Sequence, residues 1–187
     1  MARRDIVVIG ASIGGVEAVS ALVGGLPQGF AAAVFVSLSL DGDLVHDLPD
    51  ILGRAGPLRA TYAGDGGEVV PGQVHVVPPG GRMLRQGDRV TLPVGERRGG
   101  RQVDLLFESA ALAYGERVVG VVLTGWDGDG AAGLAAIGRA GGATIVQDPR
   151  EAAVPSMPLS ALSGTEAEVL TLGAIAARLV ALGGGEA

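Results

Sequence analysis

The sequence predicts an α/β domain with a mostly parallel sheet, helices on both faces and an antiparallel β-hairpin insertion. The chain has 187 residues, of which 48% are hydrophobic and 18% charged, a composition suited to a buried core. Strand-like apolar runs alternate with helical patterns, which is typical of a parallel sheet covered by helices. No linker or internal repeat divides the sequence, so we expect a single domain over residues 1–187.

The first four elements already show this alternation. Ile6–Ile9 is a continuous β-branched run, as expected of a strand buried on both faces. A glycine turn follows, and Val16–Leu22 has helical spacing. Ala32–Leu38 is a second apolar run, and Leu44–Arg54 again has helical spacing. These elements predict one strand–helix unit followed by another.

Residues 57–93 have a different pattern. Short strand-like pieces at Leu58–Ala63, Val74–Val77 and Arg89–Leu92 are separated by Gly-Asp, Pro-Gly and Gly-Gly pairs. Such punctuation favours hairpins with antiparallel pairing. We therefore predict a β insertion over about these residues.

The alternation resumes after the insertion. The predicted elements are a helix at Val103–Tyr114, a strand at Arg117–Thr124, a helix at Gly130–Arg139, a strand at Ala143–Gln147, a short helix at Ser156–Leu162, an edge strand at Val169–Leu172 and a final helix at Gly173–Leu182.

Composition excludes several classes of chemistry. The net charge is −6 and the chain has no basic run, which disfavours binding to nucleic acid or to an anionic membrane. The chain has no cysteine and no lysine, so thiol, cysteine-metal and Schiff-base sites are excluded. No apolar run reaches the roughly 18 residues of a membrane span. We expect a cytoplasmic protein without a metal site or a cofactor.

A glycine-rich loop directly after the first strand is the first candidate site. Gly10–Gly15 matches G-x-S-x-G, the pattern of a nucleophilic serine on a tight strand-to-helix turn. Ser12 would be the nucleophile, and the N–H groups of Ile13 and Gly14 would face a developing oxyanion. By itself the pattern also fits a plain glycine-rich turn or a phosphate-binding loop.

A second loop follows the strand at Arg117–Thr124. It contains Trp126, Asp127 and Asp129 just before the next predicted helix. Asp127 or Asp129 would cap that helix, or a carboxylate of this loop would orient a catalytic histidine.

Several segments together resemble the catalytic domain of CheB-type chemotaxis protein-glutamate methylesterases. They cover most of the chain in order: IGASIGGVEA, PGQVHVVPP, VDLLFESAALAYG, GVVLTGWDGDGAAGL and ATIVQDPREAAVPSMPLSAL. The resemblance implies Ser12 as nucleophile and Asp129 as the acidic triad member. It also implies hydrolysis of γ-glutamyl methyl esters on a methyl-accepting chemoreceptor or related signalling protein, and it does not extend to the family's receiver domain.

The chain departs from the family at the base. The family places its histidine after the second strand in a Gln-His-(Met/Leu/Ile)-Pro segment, and we assign Leu38 to that position. Ile13 and Trp126 replace a small Thr and a Met of the family pattern. His46 is a candidate substitute base, and His75 is a weaker one.

Two functions follow from these residues. The chain is a methylesterase whose activity is impaired by the missing histidine, or it is a non-catalytic binding module (a pseudoenzyme) that engages a receptor or signalling partner. A serine hydroxyl without a base is a poor nucleophile, so the residue between Ser12 and Asp129 decides between them.

Overall fold

A computed structural model describes residues 4–39, 47–78, 84–86, 89–91 and 101–183. Within these residues the main sheet has seven strands: β1 (Ile6–Ala11), β2 (Ala33–Leu38), β3 (Arg59–Tyr62), β5 (Gln73–Val76), β8 (Val118–Val122), β9 (Ala143–Gln147) and β10 (Glu168–Leu170). Their order is β10-β9-β8-β1-β2-β5-β3, and every pairing is parallel.

Helices cover both faces of this sheet. The described helices are α1 (Gly15–Gly24), α2 (Leu48–Ala55), α3 (Gln102–Tyr114), α4 (Ala131–Arg139), α5 (Ser156–Gly164) and α6 (Leu172–Gly183), and a short 3₁₀ turn spans Gly115–Arg117. One buried cluster lies under α1, α2 and α6, and a second lies under α3, α4 and α5. Strands β1, β2 and β8 are buried along their whole length between the two clusters, which explains their continuous apolar runs.

Among the described residues, the antiparallel part is smaller than the sequence predicts. It consists of β4 (Gly67–Glu68), β6 (Leu84–Gln86) and β7 (Arg89–Thr91), paired in the order β4-β7-β6. Strands β3 and β5, which the sequence analysis placed in the insertion, instead extend the parallel sheet beside β2. Val74 and Val76 of β5 are fully buried against the main core, so hydrophobic contacts across the sheet determine their pairing and local turn signals do not.

The sheet order brings three loops together. Strand β1 lies between β2 and β8, with Gly10 opposite Ser37 on one side and Val122 on the other. Because parallel strands end at the same edge, the segments that follow β1, β2 and β8 meet there. These segments carry Ser12, Ser39 and Asp129.

Candidate active site

Ser12 lies on a tight turn between β1 and α1. Its N–H donates to the carbonyl of Thr124 at 3.0 Å, and its own carbonyl accepts from the N–H of Gly15 at 2.8 Å. Gly14 has φ 74°, a left-handed conformation that favours glycine. Ser12 is only 5% exposed. The turn thus holds the hydroxyl at the carboxyl edge of the sheet, at the start of a helix.

The start of α1 presents backbone donors beside Ser12. Among the described residues, neither the N–H of Ile13 nor that of Gly14 donates a hydrogen bond to backbone. Free N–H groups at a helix N-terminus stabilise negative charge. The arrangement is suited to an oxyanion next to the Ser12 hydroxyl.

Asp129 is held by backbone donors of another helix. Its Oδ1 accepts from the N–H of Asp104 at 2.8 Å and its Oδ2 from the N–H of Val103 at 2.9 Å. Burial raises the pKa of this carboxyl, the hydrogen bonds from α3 and Ser39 oppose that shift, and the nearby charge of Asp104 adds to it. Asp129 therefore caps α3, whereas the sequence analysis considered it as a cap of the helix that follows it.

Ser39 connects the other two residues. The Ser12 hydroxyl donates to the Ser39 carbonyl at 2.7 Å, and the Ser39 hydroxyl donates to Asp129 Oδ2 at 2.8 Å. The side chain of Ser39 thus occupies the place beside Asp129 at which an oriented base would sit in a serine–base–acid arrangement. Sequence reasoning missed this residue.

The expectation that Leu38 faces Ser12 and Asp129 is corrected by this geometry. Leu38 is 6% exposed and belongs to the buried cluster under α1. Consecutive residues of an extended strand point to opposite sides, so Leu38 turns into that core and Ser39 turns towards Asp129. The sequence holds one signal for Ser39, because Leu40 after it fits the Met/Leu/Ile of the segment that the family resemblance implies.

Among the described residues, the hydrogen bonds of Ser12 include no general base. A backbone carbonyl accepts a hydrogen bond but is not a proton acceptor at neutral pH, and the Ser39 hydroxyl is already committed to Asp129. Among the described residues, no imidazole or carboxylate forms a hydrogen bond with the Ser12 hydroxyl. A serine that has only these contacts lacks the base that a serine nucleophile needs.

Thr124 and Gln147 fix the two loops against each other. The Thr124 hydroxyl donates to the carbonyl of Ile13 at 3.0 Å and accepts from the N–H of Val154 at 2.9 Å. The buried Gln147 side chain accepts from the N–H of Thr124 at 2.9 Å. These polar groups act on backbone atoms of the turn, and the sequence analysis did not single them out.

Comparisons with known proteins decide the family. The family model for CheB methylesterase matches residues 7–179. This chain belongs to the CheB methylesterase family.

Relatives and solved structures agree with this CheB-type assignment. A protein-glutamate methylesterase/protein-glutamine glutaminase of Geobacter sulfurreducens is 38% identical over 167 residues, covering 86% of this chain and 45% of the relative. A putative enzyme of the same name from Leptospira interrogans is 32% identical over 182 residues, covering 95% of this chain and 94% of the relative. The crystal structure of the Thermotoga maritima CheB methylesterase catalytic domain matches with a TM-score of 0.89 at 29% identity, covering 97% of this chain and all of that one.

These findings confirm the resemblance and the fold class. The CheB-type domain spans about half the length of several curated relatives, as the Geobacter comparison illustrates, and nearly all of the Leptospira relative. Within the part of the chain that the structure describes, no helix is long and apolar enough to cross a membrane.

Two large apolar side chains are exposed near Ser12 of the CheB-type domain. Ile13 is 53% exposed and Trp126 is 70% exposed. Neither forms part of the buried core, so both add apolar area to the surface around Ser12.

Of the two candidate histidines, His75 lies in the described part of the chain and His46 does not. His46 lies outside the described residues, so its role as a substitute base stays a prediction. His75 lies in β5, where its ring stacks on Phe35 with 4.8 Å between centroids. Its Nε2 lies 3.3 Å from the carbonyl oxygen and 3.4 Å from the amide nitrogen of Val70. These contacts describe a buried sheet residue, as the sequence analysis favoured.

We expect His75 to make stability depend on pH. Burial lowers its pKa from the ordinary value of 6.5, so the unfolded chain takes up the proton first as pH falls. The free energy of unfolding should therefore decrease as pH falls below about 6.5. Urea unfolding between about pH 8 and pH 5 should show less of this decrease for His75→Phe than for wild type. Equal profiles for wild type and His75→Phe would contradict the assignment.

Proposed function

We propose that this CheB-type domain engages a chemoreceptor or a related signalling protein but hydrolyses glutamyl methyl esters very slowly. The CheB family places the domain in a chemosensory system. The names of its relatives point to two kinds of ligand, a glutamate methyl ester and a glutamine side chain. A cytoplasmic location belongs to the same proposal, because the modified receptor segments of such systems would have to reach the Ser12 edge of the sheet.

One observation carries the proposal: Ser39 is hydrogen-bonded to both Ser12 and Asp129. We align Ser39 with the histidine of the family's Gln-His-(Met/Leu/Ile)-Pro segment. The nucleophile, the acid and the oxyanion donors are then retained, and only the proton acceptor is replaced. A hydroxyl in this position orients Asp129 but does not take the Ser12 proton.

The expected consequence is large. Loss of a triad member typically reduces the rate by about 10⁴-fold or more. Binding of the ester group needs only the surface and the backbone donors, so recognition survives the loss. The geometry therefore favours the non-catalytic alternative over the impaired enzyme.

The test measures turnover and nucleophilicity together. Wild type and Ser12→Ala are incubated with a peptide that carries a glutamate γ-methyl ester, and methanol release is followed. A fluorophosphonate probe is applied to both proteins, with the Thermotoga domain as the active reference. We expect wild type to match Ser12→Ala in methanol release and to label far more slowly than the reference.

Rapid methanol release by wild type that Ser12→Ala abolishes would overturn the proposal. A parallel His46→Gln variant then identifies the base, because activity lost in that variant as well would assign it to His46.

A further inference from the structure

The first turns of α3 and α4 lie against each other beside the site. A Cβ added at Gly133 would lie 2.5 Å from Cβ of Phe107 and 2.9 Å from the carbonyl oxygen of Asp104. This close packing puts the start of each helix within reach of a side chain from the other.

Asp104 and Asp129 each cap the start of the helix next to the other residue. Asp104 Oδ1 accepts from the N–H groups of Gly130 at 3.0 Å and Gly133 at 2.7 Å, which belong to the start of α4. Asp129, immediately before α4, accepts from the start of α3, including the N–H of Asp104 itself at 2.8 Å. Arg101 approaches the other Asp104 oxygen with its Nε at 3.4 Å. Asp104 thus fixes α4, the helix that follows Asp129, and Asp129 fixes α3, the helix that carries Asp104.

We propose that Asp104 is a positioning residue of the Ser12–Ser39–Asp129 site: by capping α4 it fixes the turn that carries the Asp129 carboxylate. The catalytic part of this inference rests on the proposed function. The hydrogen bonds of Asp104 and Asp129 do not depend on any reaction. Among the described residues, Asp104 forms no hydrogen bond with Ser12 or Ser39. It therefore acts through Asp129.

Charge distinguishes this arrangement from ordinary packing. Asp104 is 5% exposed and Asp129 is 3% exposed, and two buried carboxylates in proximity repel. Each is stabilised by the N–H groups of a helix start, where the helix dipole favours negative charge. Burial is the main cause of the raised pKa of Asp129 and the Asp104 charge adds to it, which gives a readout that simple packing would not change.

Three variants separate these roles. Asp104→Ala removes the cap, Asp104→Asn keeps an oxygen acceptor but removes the charge, and Glu108→Gln serves as a matched control. Glu108 is on the same helix and pairs with Arg101 at 3.0 Å, and among the described residues it forms no hydrogen bond with α4. NMR measures amide exchange at Gly133 and titration of the Asp129 carboxyl.

We expect Asp104→Ala to reduce protection of the Gly133 amide by about tenfold or more. Asp104→Asn should retain that protection and lower the pKa of Asp129, and Glu108→Gln should leave both unchanged. Unchanged protection of the Gly133 amide in Asp104→Ala would overturn the inference. If that variant does not fold, an unchanged Asp129 titration in Asp104→Asn would overturn it.

The same variants in a Ser39→His background test the catalytic consequence. Methanol release should fall about tenfold in Asp104→Ala, through mispositioning of the acid, and recover in Asp104→Asn. If Ser39→His itself releases no methanol, the proposed function fails while the amide and carboxyl measurements still judge Asp104. If Ser39→His is active and Asp104→Ala is equally active, the positioning role fails alone.

Discussion

Replacing Ser39 by histidine is expected to raise methyl-ester hydrolysis by at least about a hundredfold over wild type, within the usual range for a positioned general base. An imidazole at residue 39 would extend from a backbone whose carbonyl already lies 2.7 Å from the Ser12 hydroxyl. One ring nitrogen would donate to Asp129 in place of the Ser39 hydroxyl, which now lies 2.8 Å from that carboxylate. The other would accept the Ser12 proton. Methanol release from a glutamate γ-methyl ester peptide measures the gain.

Leu38→His is the matched control for this variant. Residue 38 faces the buried cluster under α1, so a histidine there would not reach Asp129 and would add a polar group to an apolar core. We expect no gain in hydrolysis and a loss of stability. A gain in Leu38→His with none in Ser39→His would reverse the assignment of the base position, and adding Ser12→Ala to Ser39→His should abolish the gained activity.

Asp129→Ala is expected to lower the free energy of unfolding by about 2–6 kcal/mol, since each of the two buried N–H donors left without an acceptor costs about 1–3 kcal/mol. The variant leaves the N–H groups of Val103 and Asp104 and the Ser39 hydroxyl without their acceptor. Urea denaturation measures the loss.

Asp127→Ala is the control for the Asp129 variant. Asp127 is partly exposed and accepts a single 3.2 Å hydrogen bond from the N–H of Asp129, so its removal should cost less than about 1 kcal/mol. Equal losses in the two variants would contradict the capping role of Asp129.

The pH dependence gives Asp129 a second signature. Because burial raises its pKa above the ordinary value of 3.8, the folded state holds the proton at a pH at which the unfolded chain has released it. The contribution of Asp129 to stability therefore falls as pH rises from about 3.8 through its folded pKa. Asp129→Asn should lack this fall, and a profile identical to that of wild type would contradict the raised pKa.

Much of the site could be predicted from local sequence. The β-branched run before Gly10 and the glycines around Ser12 specify a buried strand that ends in a tight turn, because few other structures suit that pattern. The loop before Gly130 likewise follows a buried strand. The expectation that both loops lie at the carboxyl edge of one sheet required only that the strands be parallel.

Local sequence was less informative about which helix each aspartate caps. Asp129 was considered as a cap for the helix that follows it, but it caps α3, some 25 residues earlier in the chain, and Asp104 caps α4 instead. Any short acidic side chain near a helix start fits the local pattern. The choice between helices depends on how closely α3 packs on α4 through Gly133.

The sequence by itself determined the α/β class, the serine turn and the segments that resemble the CheB family, since these depend on periodicity and residue type over short stretches. The tertiary structure decided that Ser39 rather than Leu38 contacts Ser12 and Asp129. It also decided that β3 and β5 join the parallel sheet. Both outcomes depend on packing between segments that are distant in sequence. A shift of one residue along a strand moves a side chain to the opposite face, and burial of Val74 and Val76 in the main core places β5 beside β2.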